Sequence, residues 1–508
     1  MYHSYYGILF IMIMNSQDNF LTLDQAVSKL STTRATFNRW LKSGQITGSK
    51  VGRQWRFRSE DIDRFLAGEE PVVKLSISPD KLIKSLTEIA KIEVPRKKTI
   101  EATAHLILIA AIKTGASDIH VDIVMREGKK TGIIRNRVDG IIHEYTTYDA
   151  RLHKPLIQEL KKFSNLDVTE TKKAQLGRGS IVLSKEKEIT IRANILPCVL
   201  GECFSGQILD PAATTLGFDW LVKAETGPKQ NDLSRIKNAL SCSRGLVLTT
   251  GPNKCGKSVT AYAMIHDLDL NKRMLITVED QVDIGLTNAI QMSVNKSAQI
   301  DYPELIAAAS RVAPDIVFIG EIRNPKVFAQ ALEAAESCLV IATMNSVDSI
   351  QALMKLHDWG TTSFELGDCV NLIQSQRLVR RLCRKCRVSY TDSDEDRALI
   401  RQIFTQHGKD TPDPLPELFT HSDKGCEVCH HRGHQGRSLI GETITLSKTL
   451  MESLALQANV NELLEIAIGE GTESLCLHAA EMLLDGVISL EEVRRVTGDL
   501  INRAVLNS

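Results

Sequence analysis

Gly251-Pro-Asn-Lys-Cys-Gly-Lys257-Ser258 decides the fold class of this chain. The eight residues satisfy G-x-x-x-x-G-K-[ST]. The apolar run GLVLTT precedes them, and SVTAYAMIHDL, with helical character, follows. Strand, glycine-rich turn and helix in that order make a phosphate-binding loop. The glycines let backbone N–H groups turn toward phosphate oxygens, Lys257 brings a point charge to the β/γ-phosphates, and Ser258 brings a hydroxyl to Mg²⁺. The helix N-terminus adds its dipole. Gly251, Pro252, Asn253, Lys254, Cys255, Gly256, Lys257, Ser258 and Val259 are therefore expected to line bound ATP.

Outward from this loop, Gly245–Thr250, Met274–Val278, Ile316–Ile319 and Leu339–Thr343 are apolar runs of strand length separated by helical stretches. They predict buried parallel strands and a doubly wound α/β domain. Ligands of such sheets bind beyond the carboxyl ends of the strands. ITVED places Glu279 and Asp280 at one such end, and DIVFIGE places Glu321 at another. One of these acids would polarise the attacking water and another would hold Mg²⁺ through water. Lys257, Glu279 and Glu321 are the expected catalytic residues. Asp280 and Asp315 join the expected nucleotide-binding set.

Two C-x-x-C pairs follow, Cys383/Cys386 and Cys426/Cys429, with 39 residues between them. Four thiolates suit tetrahedral Zn²⁺. The long gap reads as an inserted subdomain. The other seven of the 11 cysteines are scattered in apolar or mixed surroundings and read as small hydrophobes. Nothing suggests a disulfide framework, which fits a reducing cytoplasm.

Near the start, residues 19–66 read as a compact helical module. Thr22 caps one helix, and Ser31 or Thr32 caps a second over Arg34–Leu41, which Gly44 ends. Then VGRQWRFR alternates, and Ser59 opens a short last helix. Arg34, Asn38, Arg39 and Lys42 share the second helix, and Arg53, Arg56 and Arg58 sit in the hairpin. This resembles a winged helix-turn-helix of the excisionase and MerR kind, for which DNA is the partner. The alternative is a protein-docking module with a basic face. The formal net charge of the 508 residues is zero, so nucleic-acid binding has to be local. The apolar run within Tyr2–Met14 falls short of the ~20 residues that span a bilayer and lacks the flanks of a signal peptide. It reads as an over-extended start, with Met12 and Met14 as alternatives.

The phosphate loop, the acid-ended strands and the knuckles together resemble the secretion ATPases of type II secretion and type IV pilus assembly (the GspE/PulE/PilB family), from about residue 100 onward. Further matches are GASDIHVD with Asp118 and His120, RNRVDG at Arg135–Gly140, and Leu196-Pro-Cys-Val-Leu-Gly-Glu202. APDIVFIGEIR, Gln376-Arg-Leu-Val379 and GVISLEEVRRVTGD complete the series. The resemblance implies a RecA-like motor domain preceded by a smaller α/β domain, assembled as a homo-hexamer with ATP between the two domains. It implies an inner-membrane pilus or secretion platform as partner and a cytoplasmic place, peripheral to that membrane. Arginines of the preceding domain would reach the phosphates, and Arg192 matches one.

Three departures stand out. Asn345 takes the place of a family histidine, so that position cannot titrate. Ser180 takes the place of an arginine. Asn253-Lys254-Cys255 replaces a glycine- and serine-rich loop centre. The expected segments are an extension (1–18), the helix-turn-helix (19–66), a linker (67–80), the preceding α/β domain (81–215), the motor (216–380), the zinc subdomain (381–440) and a helical tail (441–508). Two readings stay open: a hydrolysing motor, and a nucleotide-sensing DNA-binding regulator with weakened turnover. A zinc-stabilised scaffold without turnover is a third, weaker one.

Overall fold

The computed structural model describes residues 20–43, 46, 49–51, 54–66, 78–91, 99–184, 187–210, 230–294 and 300–506. The extension 1–18, linker residues 67–77, Gly44, Arg53 and the boundary expected at Pro211–Gly217 lie outside them, as do the side chains of Lys42 and Arg58. The chain divides into two units, Met1–Lys81 and Leu82–Ser508.

In the first unit, strands Phe20–Thr22 and Ser49–Val51 flank Gln54–Arg58 in an antiparallel sheet. Thr22 and Gln25 form a capping box at the helix Leu23–Lys29. The helix Arg34–Ser43 is capped one residue later than expected: Thr33 Oγ1 accepts from the Thr36 N–H at 3.2 Å, which neither Ser31 nor Thr32 does. Alternation turns Phe57 inward, where its ring meets Phe37 edge-on at 5.0 Å. Ala26, Ile46 and Ile62 close this small core.

The second unit begins with a six-stranded antiparallel sheet. Its spatial order is Ile141–Asp149, Lys129–Val138, Asp118–Arg126, Gly201–Leu209, Lys187–Cys198 and Gln175–Ser184. The helices Ile100–Lys113 and His153–Phe163 bury Leu106, Ile107, Leu156 and Leu160. Residues directly opposite one another share a face of a sheet. The register aligns Arg178 with Arg192, Arg192 with Gln207, Gln207 with Asp118, and Asp118 with Arg137. One polar row thus crosses five strands.

The sheet of the phosphate-loop domain has seven strands in the order Ala289–Ser293, Leu275–Glu279, Ile316–Ile322, Leu339–Asn345, Gly245–Gly251, Val370–Leu382 and His434–Ile444. The first six are parallel and the last is antiparallel. Both faces are covered, so the strands read as continuous apolar runs. Leu246 and Leu248 pack with the helices Tyr302–Ser310, Pro325–Ala335 and Ser349–Asp358, while Val247 packs on the other side with Gln230–Ser241 and Lys257–His266. His434–Ile444 corrects the expected boundary at residue 440, which would cut an edge strand of the motor. Its pairing with Val370–Leu382 makes the cysteine-bearing stretch an insertion between two motor strands.

The C-terminal helix Leu490–Leu506 is tied to the motor through a buried carboxylate. Glu492 accepts from the backbone N of Arg380 at 2.7 Å, from Arg380 Nε at 2.8 Å and from Arg495 Nε at 2.8 Å. Burial works to raise the Glu492 carboxyl, but the hydrogen bonds from Arg495 and Arg380 outweigh it and hold it at about 2. A depressed folded value stabilises fully above the unfolded value of 4.5, and the gain is lost as pH falls toward 2. A shift of that size corresponds to roughly 3 kcal/mol. Glu492→Gln should therefore cost about 3 kcal/mol in chemical denaturation at pH 7, and the difference from the unmodified chain should shrink below pH 4.5. Equal loss at both pH values would exclude this account.

Candidate nucleotide site

The phosphate loop needs its glycines for different reasons. Gly251 has φ +145°, and a Cβ there would stand 2.4 Å from the Gln376 carbonyl oxygen and 2.6 Å from Cys255 Sγ. No other residue fits that approach. Gly256 has φ +90° and opens the helix Lys257–His266. Gln376, from the strand Val370–Leu382, braces the loop: its Nε2 donates to the Cys255 carbonyl at 2.9 Å. Ser258 is exposed at the head of the helix.

Lys257 is buried, and its three protons find three acceptors: Gly251 O at 3.0 Å, Pro252 O at 2.9 Å and Asn345 Oδ1 at 2.7 Å. Burial pushes the ammonium pKa down, while Cys255 and Glu321 pull it back up. Asn345 ends the strand Leu339–Asn345, and its amide nitrogen donates to Glu321 Oε1. Glu321 Oε2 in turn accepts from Arg323 Nε at 2.5 Å, and the same guanidinium pairs with Asp280. A continuous chain therefore runs Lys257–Asn345–Glu321–Arg323–Asp280 along the carboxyl ends of neighbouring strands. Asn345, at the departing position, links Lys257 to Glu321 in it. Burial lowers the Arg323 pKa less than Glu321 and Asp280 raise it.

Two expected residues are placed differently. Glu279 reaches the same strand end but faces inward, buried beneath the Tyr262 hydroxyl and accepting from Thr277 Oγ1 at 2.7 Å. Strand alternation puts residues 277 and 279 on one side. Glu279 is thus a satisfied buried carboxylate that also raises the Tyr262 pKa, after burial itself. Asp280 and Glu321 are the more open acids. Asp315 is the clearer correction. It precedes the strand Ile316–Ile322, and its Oδ2 accepts from the Met274 N–H at 2.7 Å. Asp315 lies at the amino end of the sheet, a strand length from Glu321, and pins the start of the neighbouring strand.

The preceding domain meets the phosphate-loop domain beside this site. Arg192 pairs with Asp283, and Arg178 Nη1 donates to the Val282 carbonyl at 3.2 Å. Burial and the neighbouring Arg178 lower the Arg192 pKa, against Asp280 and Glu279. Ser180 lies 3.5 Å from Thr190 within its own sheet. Lys254 crosses to Asp118 at 2.9 Å. Sequence reasoning did not assign Arg178, Arg323, Lys254 or Gln376 these partners. Arg323 and Gln376 stand inside motifs quoted above, so their neighbourhood was signalled. The partners of Arg178 and Lys254 follow from tertiary structure alone.

Far along the chain, the four knuckle cysteines converge. Cys383 and Cys426 are 3.7 Å apart at sulfur, Cys386 and Cys429 3.7 Å, and Cys426 and Cys429 3.8 Å. All four sulfurs lie within 4.8 Å of one another. Burial would raise the Cys429 thiol, but N–H groups of Cys426 and Gly433, each 3.2 Å from Sγ, outweigh it and bring it to about 6. The cluster can hold a metal ion.

The family description "Type II/IV secretion system protein" matches residues 94–495, and "Helix-turn-helix domain" matches residues 20–70. The chain belongs to the type II/IV secretion system protein family. Within it, the chain is 32% identical to the type IV pilus assembly ATPase PilB of Acinetobacter baylyi, over 77% of this chain and 65% of that protein. It is 30% identical to the type II secretion system ATPase E of Vibrio cholerae, over 76% of this chain and 73% of that protein. The chain thus spans just under two thirds of the length of that PilB. The X-ray structure of the Yersinia pseudotuberculosis ATPase DotB shares the fold, with a TM-score of 0.57 at 17% identity over 80% of this chain and 96% of that one. Among the described residues, no helix is long and apolar enough to cross a membrane.

Proposed function

We propose that this chain binds ATP with Mg²⁺ at Gly251–Val259, hydrolyses it, and couples nucleotide state to movement of the preceding domain. The carrying observation is the linked series from Lys257 through Asn345 and Glu321 to Asp280, beside which Arg192 and Arg178 arrive from the other domain. A group bound there meets cations from both domains, so its charge changes their attraction.

In this reading Lys257 exchanges its carbonyl acceptors for phosphate oxygens, and the loop N–H groups take the rest of the charge. Ser258 would hold Mg²⁺, which supplies charge neutralisation at the phosphates. Glu321 accepts a proton from the attacking water and Asn345 orients its carboxylate. Arg192, freed from Asp283, stabilises charge on the transferring group. Glu279 serves from behind, holding Tyr262 and the helix Lys257–His266 in place. The cysteine cluster would hold Zn²⁺ as a structural ion. The assembly is a homo-hexamer on the cytoplasmic side of an inner-membrane pilus or secretion platform, as suggested by the relatives named for pilus assembly and secretion. Steady-state ATPase on the purified chain, with its mass measured with and without nucleotide, tests this. A chain that neither turns over ATP nor forms larger assemblies is not such a motor.

A second reading rests on the first unit. Asn38 and Arg39 are exposed on the helix Arg34–Ser43, whose Phe37 is buried. Arg34 pairs with Asp24, and Lys29 with Asp63 at 2.6 Å, so these two cations are already engaged. In this reading the chain is a nucleotide-sensing DNA-binding regulator, with Asn38 and Arg39 toward DNA through residues 20–66. Arg39→Ala in the full chain should weaken duplex binding roughly 10-fold and flatten its dependence on salt. Binding that is absent, or indifferent to salt, removes this reading.

A further inference from the structure

Lys254 is the residue of the phosphate loop least suited to its position. Its φ is +64°, in the left-handed region that side chains other than glycine and asparagine seldom adopt. Its ammonium does not serve the loop. It donates to Asp118 Oδ1 of the preceding domain at 2.9 Å. Asp118 is buried, and its other oxygen accepts from Ser117 Oγ at 2.8 Å and stands 3.5 Å from Arg137 Nε. Arg137 Nε is itself buried and has no hydrogen-bond partner. One carboxylate is therefore shared by two cations. Arg137 is fixed on the adjoining strand, directly opposite Asp118 in register. Lys254 has a side chain 60% exposed, on a loop shaped for phosphate.

We infer that Lys254 and Asp118 form an interdomain latch, which closes the preceding domain over the phosphate loop and which nucleotide phosphates open by drawing off the Lys254 ammonium. This rests on the proposed nucleotide site. An ammonium is a point charge on a flexible stem, so it can transfer between acceptors without a fixed geometry. Phosphates offer it more negative charge than one carboxylate. Removing one partner of a buried ion pair normally leaves an uncompensated charge. Here Arg137 Nε stands ready to complete a hydrogen bond to Asp118 once Lys254 departs, so the carboxylate stays paired in both states. Two discrete arrangements of one carboxylate are what a switch requires. A glycine at position 254 would suit the backbone and have nothing to send across.

The test uses the full chain with a fluorescent donor and acceptor placed at the exposed positions Lys129 and Lys326. Non-natural amino acids spare the native thiols, and excess unlabelled chain keeps each pair within one molecule. Without nucleotide, Lys254→Gly and Asp118→Asn should both lower or broaden the transfer efficiency. The non-hydrolysable analogue AMP-PNP should shift the unmodified chain the same way and move the variants little. Asp118→Asn should also tighten AMP-PNP binding about 3–5-fold at low salt, and this gain should vanish in the Lys254→Gly background. Unchanged transfer efficiency in both nucleotide-free variants overturns the latch. So does an affinity gain that persists without Lys254. If the unmodified chain binds no AMP-PNP, the proposed function and the opening step fall together, while the nucleotide-free measurement still decides whether the pair holds the domains closed. Should Asp118→Asn not fold, Lys254→Gly, altered at an exposed side chain, carries the distance measurement alone.

Discussion

Glu321→Gln should lower ATP turnover by at least about 100-fold and leave nucleotide affinity within about threefold. The glutamate ends the strand Ile316–Ile322 with one oxygen on the Asn345 amide and the other 2.5 Å from Arg323 Nε. Glutamine has the same length and volume. It keeps a carbonyl oxygen for one partner but turns an amide toward the other, and it carries no negative charge. A water held beside it would lose the group that takes its proton. Lys257 and Ser258, which face the phosphates in this reading, are untouched. Single-turnover hydrolysis and equilibrium binding of labelled nucleotide separate the two effects. Turnover equal to that of the unmodified chain would remove Glu321 from the site. Weakened binding without a slower chemical step would make it a binding group instead.

Glu321 stands at the strand end where the sequence places it, and the reason is physical. Gly251–Ser258 was legible because a strand, a glycine turn and a helix are local features with a fixed order. Glu321 was legible because parallel strands present their carboxyl ends on one side of the sheet. Asp315, expected in the nucleotide-binding set, stands before its strand and not after it, so the same rule keeps it away from the phosphates. Glu279 shows a finer point: period-two alternation turns residue 279 inward beside Thr277, while its neighbour Asp280 opens outward. In the preceding domain, Ile119–Val121 and Ile189–Ile195 carry the apolar alternation expected of the strands they lie in. Ile141–Asp149 is an edge strand carrying Glu144, Thr146 and Thr147, and the central strand Gly201–Leu209 carries Glu202, Ser205 and Gln207, so their pairing emerges only in the sheet. The long gap between the knuckles hid the return strand His434–Ile444, because its partner lies more than 50 residues earlier. The contacts of Arg178, Arg192 and Lys254 with the motor or the neighbouring domain are set by domain packing, which no local pattern encodes.

With Zn²⁺ held by the cysteine cluster as proposed, removing it should disorder the insertion while leaving the phosphate loop able to bind nucleotide. Zinc–thiolate bonds of about 2.3 Å in a tetrahedron place sulfurs roughly 3.8 Å apart. Three of the pairs here are 3.7, 3.7 and 3.8 Å apart. The cluster sits where the insertion leaves and rejoins the motor sheet: Cys383 directly follows the strand Val370–Leu382, and its N–H donates to the Gly433 carbonyl at 3.0 Å, one residue before the return strand. An ion there would staple both ends of a long loop. In small zinc-finger peptides such an ion contributes about 10 kcal/mol or more. Here the strands Val370–Leu382 and His434–Ile444 also hold the two ends of the insertion through their own antiparallel pairing, so a loss of several kcal/mol confined to the insertion is expected. Cys429→Ser should reduce bound zinc from about one per chain to near zero and speed amide exchange between residues 383 and 433. It should also loosen the contact of Gly436 N–H with Asp139 Oδ2 of the preceding domain, now 3.1 Å. Nucleotide affinity should change by less than about threefold, because the phosphate loop is braced by Gln376 and not by the insertion. A Cys429→Ser chain that keeps its metal, or unmodified protein that folds equally well with none, would reduce the cluster to four neighbouring thiols.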